Sequence, residues 1–132
     1  MKSYLRKKSR KFQVGSKETI QLRDCGSIQL EPDEQITFQT DEEFEYDVLR
    51  KSWGYYATPS LNARLLRFQL HAALICNHKE HYFVVLVEEA KRDEFANYLA
   101  QDSLRIVTWL DSNQQLNQVD QHFNETHDIK TR

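Results

Sequence analysis

The stretch Leu70-His71-Ala72-Ala73-Leu74-Ile75-Cys76-Asn77-His78-Lys79-Glu80-His81-Tyr82-Phe83-Val84-Val85-Leu86-Val87 decides the fold class. Two apolar runs, the second rich in valine and aromatic rings, flank the polar tetrapeptide Asn77 to Glu80. That composition suits buried strands, and the short polar break suits a turn. The sequence therefore predicts a β-hairpin in the second half of the chain.

Working outward, Glu88 to Ala100 carries Ala90, Phe95, Tyr98 and Leu99 with acids early in the segment, the spacing of an amphipathic helix. Leu104 to Leu110 reads as a last strand. On the other side, Thr58 suits an N-cap and Pro59 the first helical position, where its missing N–H costs nothing. Leu61, Leu65 and Phe68 follow at helical spacing, which predicts a helix of about two to three turns.

From Lys11 to Leu49 apolar residues recur every second position: Phe12 and Val14, Ile20 and Leu22, Ile28 and Leu30, Ile36 and Phe38, then Phe44, Tyr46 and Val48. Gly15-Ser16, Asp24-Cys25-Gly26, Glu31-Pro32-Asp33-Glu34 and Thr40-Asp41-Glu42-Glu43 separate the runs and are short enough for hairpin turns. The expected class is α+β: an N-terminal antiparallel strand meander, then a helix-strand-strand-helix-strand half, forming one compact domain over residues 12–111.

Both ends differ from this body. Residues 1–11 hold Lys2, Arg6, Lys7, Lys8, Arg10 and Lys11 and no acid, so a net charge of −2 conceals a body near −8. They read as a basic flexible arm. Residues 112–132 form a polar tail in which Leu116, Val119 and Phe123 have helical spacing among weak helix formers, as in a frayed helix or a disordered segment.

With 132 residues, 39% hydrophobic and 29% charged, the composition is that of a globular protein with one core. Cys25 and Cys76 lack any CxxC partner, which predicts buried thiols and no zinc knuckle or disulfide framework. No signal-peptide core is present, and the apolar run from Tyr82 to Val87 is far shorter than the roughly 20 residues of a membrane helix. These features predict a cytoplasmic protein without a transmembrane segment. The acidic body disfavours nucleic acid as a partner of the arm, and exposed antiparallel edges leave monomer and homodimer both open.

Chemistry-bearing residue types concentrate between Arg50 and Arg67. Trp53, Tyr55 and Tyr56 beside Gly54 suit the wall of a pocket on which a sugar or base stacks. Thr58, Ser60 and Asn62 offer hydroxyl and amide groups at the expected helix start, and Arg50, Arg64 and Arg67 could hold a phosphate or carboxylate there. Asp47 and Glu45, flanking Tyr46, are the candidate general bases for a catalytic alternative. His71 could approach His81 if the hairpin strands pair, but the histidine spacing matches no metal motif, and no metal or cofactor is expected.

The run Trp53-Gly54-Tyr55-Tyr56-Ala57-Thr58-Pro59-Ser60-Leu61-Asn62-Ala63-Arg64-Leu65, continued by Leu74, by Tyr82 to Glu88 and by Trp109-Leu110-Asp111, resembles short bacterial proteins of unassigned activity found among surface-polysaccharide biosynthesis genes. The resemblance covers roughly the middle half of the chain and implies a bacterial cytosolic setting near glycan-assembly enzymes. With the residues above, it gives the expectation of a small non-catalytic binding or accessory protein. Its ligand would be carbohydrate-related or phosphate-bearing, or its partner a protein of the same pathway. The alternatives are an enzyme acting on an activated sugar, and a nucleic-acid or membrane-surface binder working through the basic arm.

Overall fold

The fold is given by a computed structural model that describes residues 1–14, 20–42 and 44–126. The elements are β1 (Lys2–Val14), β2 (Ile20–Gln29), β3 (Gln35–Gln39), β4 (Glu45–Lys51), β5 (Gly54–Ala57), α1 (Arg64–Arg67), β6 (Leu70–Cys76), β7 (Tyr82–Glu88), a 3-10 turn (Glu89–Lys91), α2 (Arg92–Gln101), β8 (Arg105–Trp109) and α3 (Asn113–Thr126). The described strands form three antiparallel sheets, ordered β1-β2, β3-β4-β5 and β7-β6-β8. An α+β fold is what the alternating first half and the mixed second half predict.

The expected hairpin is the pair β6–β7, in unbroken register from Leu70 opposite Glu88 to Cys76 opposite Tyr82. β8 pairs with the other edge of β6, so β6 is central. Its run is apolar on both sides because both sides are covered. On one face Leu70 and Ala72 pack with Leu65, joined by Phe44, Tyr46, Leu61, Phe68, Leu86 and Leu110. On the other, Ala73 and Ile75 pack with Leu99 of α2, joined by Val85, Phe95, Leu104 and Trp109. Ala72 and Ala73 are both 0% exposed, and their small side chains let α1 and α2 approach β6 from opposite sides.

Several boundaries differ from expectation. Asp24-Cys25-Gly26 is not a turn but lies within β2, and β1 begins at Lys2, so most of the basic segment is paired strand and not a detached arm. The ladder slips between Leu5 and Arg10: residues 6–9 of β1 stand opposite Cys25 alone, a large bulge. Gly26 sits at φ +124°, and a Cβ there would collide with the carbonyl oxygen of Tyr4. Only glycine fits that crossing. Cys25 is exposed beside the bulge, whereas Cys76 is buried as expected.

The helix expected from Pro59 contains four residues, Arg64–Arg67, because residues 58–63 run as a bend and turn across the sheet. Its N-cap is Ala63, without a side-chain cap, and not Thr58. An additional strand, β5, occupies the aromatic run and pairs with β4 from Val48 opposite Ala57 to Lys51 opposite Gly54. Beyond Asp111, residues 113–126 are helical, the ordered one of the two forms open to the tail. The turn expected at Gly15-Ser16, residue Glu43 and residues 127–132 lie outside the described residues.

Leu65, 0% exposed, is the residue of α1 that enters the core. Leu65→Ala should cost about 3 kcal/mol through lost burial and a residual cavity, read as a lower midpoint of urea unfolding with unchanged slope.

Candidate functional site

The geometry separates the residues of the Arg50–Arg67 run. Asp47, on β4, is buried at 5% exposure. Its carboxylate accepts from Arg64 Nη1 at 2.9 Å and from Thr37 Oγ1 at 2.5 Å. Arg64 Nη2 also donates to Thr58 Oγ1 at 2.8 Å, and the Thr58 amide donates to the Asp47 carbonyl at 3.1 Å. Asp47, Arg64 and Thr58 thus fasten the chain leaving β5 onto β4, and α1 with it.

Other polar members of the run are also structural. Arg50 donates to the Leu30 carbonyl through Nη1 and to the Lys51 carbonyl through Nε, each at 2.9 Å. Ser60 Oγ accepts the Arg64 amide at 2.9 Å, and Asn62 Nδ2 donates to Asn113 Oδ1 at 2.7 Å, holding the start of α3. Arg67 is exposed on α1. A one-turn helix supplies no N-terminal anion site, so the cradle expected at Thr58, Ser60 and Arg64 is closed by the protein's own groups.

Trp53, Tyr55 and Tyr56 are exposed by 68%, 68% and 51%, so they do not seal the core. Nor do they share one wall: Tyr55 pairs with Arg50 and Tyr56 with Leu49, on opposite faces of the sheet. Of the candidate bases, Asp47 is neutralised by Arg64, and Glu45 Oε1 accepts from Gln39 Nε2 at 3.0 Å. His71 lies opposite Val87 while His81 adjoins the turn, so the two sit at opposite ends of the hairpin. His71 Nδ1 instead meets Asp111 Oδ2 at 2.7 Å, an oxygen that Arg92 Nη2 also reaches at 3.1 Å. Among the described residues no three His, Cys, Asp or Glu side chains are grouped to hold a metal ion.

The groove better suited to a ligand lies elsewhere. An open cavity of about 530 Å³ separates the β3–β4 hairpin from β7 and α2. Phe38, Phe44 and Tyr46 form one wall, Leu86, Val87 and Glu88 the strand side, and Lys91, Glu94, Phe95 and Tyr98 the other wall. Five aromatic rings, from β3, β4, α2 and the residue preceding β4, therefore face one space. Burial raises the Tyr46 phenol above its ordinary value of 10.0.

Glu88 gives the groove its chemical character. Oε2 lies 3.1 Å from Lys91 Nζ, and that hydrogen bond raises the pKa of the exposed Lys91 ammonium, with further contributions from the charges of Glu88, Glu42 and Glu94. Oε1 is buried and has no hydrogen-bond partner among the described residues. A buried acceptor left without a donor costs roughly 1–3 kcal/mol, and more when charged.

Sequence reasoning passed over this groove because its aromatic residues are separated by up to sixty positions, from Phe38 to Tyr98. The one local signal was Glu88, an acid directly ending the apolar run from Tyr82 to Val87. No family model, curated protein or solved structure matches the chain. Among the described residues no helix is long and apolar enough to cross a membrane.

Two outcomes follow from these contacts. Arg64→Ala leaves the Asp47 charge buried with Thr37 alone and should cost about 3 kcal/mol in urea unfolding, whereas Arg67→Ala should stay within about 0.5 kcal/mol. For Tyr46, folded and unfolded chains both hold the phenolic proton below the ordinary value, and the stabilisation there is complete. As pH rises past 10.0 the unfolded chain ionises first, so stability falls until the folded phenol ionises too. Unfolding midpoints at about pH 9 and about pH 11 should therefore diverge more in the native chain than in Tyr46→Phe.

Proposed function

We propose that the protein is a small binding module that seats a carbohydrate-related ligand in the aromatic groove, as an accessory to surface-polysaccharide assembly in the bacterial cytosol. The observation that carries this reading is an open cavity in whose lining five aromatic rings meet two carboxylates, Glu88 and Glu94. Sugar rings present C–H faces that lie against aromatic walls and hydroxyl groups that donate to carboxylates. A cavity of about 530 Å³ has room for one or two sugar units.

The charges narrow the ligand. Glu88 and Glu94 outweigh Lys91 in the groove lining, which opposes a phosphate group inside it and favours a neutral or amine-bearing sugar. Binding without turnover is supported by the two candidate bases, Asp47 and Glu45, whose carboxylates are engaged within the fold. The polysaccharide setting rests on the sequence resemblance.

The test is a thermal-shift titration with neutral hexoses, amino sugars and their nucleotide-linked forms, since a ligand of the native state raises its melting temperature. A dose-dependent shift with a neutral or amino sugar is expected. Glu88→Gln should weaken it about tenfold by removing the charged acceptor, and Tyr98→Ala should weaken it by loss of stacking, while Trp53→Ala leaves it unchanged. The absence of any sugar-induced shift, or a shift indifferent to both groove variants, would refute the assignment.

A further inference from the structure

The β1–β2 ribbon combines three properties that the groove leaves unexplained. First, it is long: the ten residues of β2 span about 33 Å, close to the roughly 36 Å diameter of a compact domain of this size. Its proximal end lies on its own body, where Leu5, Gly26 and Ile28 face Ile36, Phe38 and Tyr55 across a groove of about 370 Å³, and where the Met1 ammonium sits 2.9 Å from Glu34.

Second, charge is segregated. Residues 1–30 carry eight basic and two acidic side chains, and the rest of the chain ten basic and eighteen acidic. The bulge places Arg6, Lys7 and Lys8 in succession opposite Cys25, where a regular strand would alternate them between faces. Arg6 reaches Asp24 at 3.5 Å, while Lys7 and Lys8 are exposed and form no ion pair among the described residues. Acidic side chains stand on the body where Glu88 and Glu94 line the aromatic groove, Glu88 pairs with Lys91 at 3.1 Å, and Asp41 and Glu42 are exposed after β3.

Third, the ribbon and the groove beneath it expose apolar surface: Tyr4 by 57%, Leu5 by 68%, Phe38 by 55% and Tyr55 by 68%. A surface made only for phosphates has no use for an exposed leucine, and the acidic body repels a polyanion.

We propose that the protein is a two-fold dimer in which the ribbon of each copy lies on the acidic body of the other. Lys7 and Lys8 face the partner surface that includes Asp41 and Glu42, and Leu5 is covered. A two-fold arrangement satisfies both ribbons at once and leaves no unpaired copy of the contact. That acidic surface adjoins the aromatic groove, whose lining includes Glu88 and Glu94.

Sedimentation equilibrium of the full chain tests it. At roughly 100 µM and low ionic strength the expected mass is twice that of the chain, with dissociation promoted between about 0.05 M and about 0.5 M salt. Leu5→Glu, at an exposed position the monomer tolerates, and the double variant Lys7→Glu/Lys8→Glu should each weaken association about tenfold or more. Mixing that double variant with Asp41→Lys/Glu42→Lys should restore a heterodimer. A native chain that stays monomeric overturns the proposal, as does a dimer indifferent to both ribbon variants or a mixture that fails to reassociate. Salt-sensitive capture of a labelled DNA duplex by a monomeric chain, lost in Lys7→Glu/Lys8→Glu, would assign the ribbon to nucleic acid instead and likewise overturn it.

Discussion

The fold depends on β6 being buried from both sides. A strand packed on one face can tolerate polar residues on the other, but Leu70, Ala72, Ala73, Ile75 and Cys76 are all buried. Its alternate residues serve two separate clusters, one joining α1 and the β3–β4 hairpin and the other joining α2 and β8. The elements flanking β6 are therefore positioned relative to one another through this single strand. The aromatic groove is a consequence, because it opens where the two arrangements around β6 diverge, between β4 on one side and α2 on the other.

Three carboxylates show how the same side-chain chemistry is put to different ends. Asp47 and Asp111 are each met by more than one donor and hold elements together: Arg64 and Thr37 in the first case, His71 and Arg92 in the second. Glu88 has only one of its oxygens engaged. Buried polar atoms are ordinarily satisfied, and Glu88 Oε1 is the exception among the described residues.

The parts of the fold legible in the sequence were those whose pattern is set locally. The hairpin from Leu70 to Val87, the helix from Arg92 and the strand ending at Trp109 each carry an unbroken period or a clear break. The passage of β2 through Asp24-Cys25-Gly26 was hidden because turn residues also mark a bulge, and only the collision a Cβ would make with Tyr4 distinguishes the two. The extent of α1 was hidden because Thr58 and Ser60, suited to capping, are drawn into contacts with β4 and Arg64. Of the candidate site, the aromatic character of residues 53–56 could be read, but not the pairing of Arg64 with an acid seventeen positions earlier on another element. Long-range charge pairing has no sequence period, and neither does the convergence of Phe38, Phe44 and Tyr98 on Glu88.

The attachment of α3 bears on how the molecule opens. Its first turn is fastened to the body: Asn113 is held by Asn62, Ser112 Oγ accepts the Gln115 amide, and Gln115, with its side-chain amide oriented to suit both acceptors, donates to Asp111 and to the Trp109 carbonyl. Further along, Val119 and Phe123 remain 50% and 38% exposed. Residues 117–123 are exposed, so opening the distal turns uncovers less apolar surface than opening the β6 ladder does. The first turn resists longer, since releasing Asp111 also disturbs His71 and Arg92. Opening of the helix is thereby graded along its length, and its far end can unwind repeatedly without the two clusters around β6 being breached.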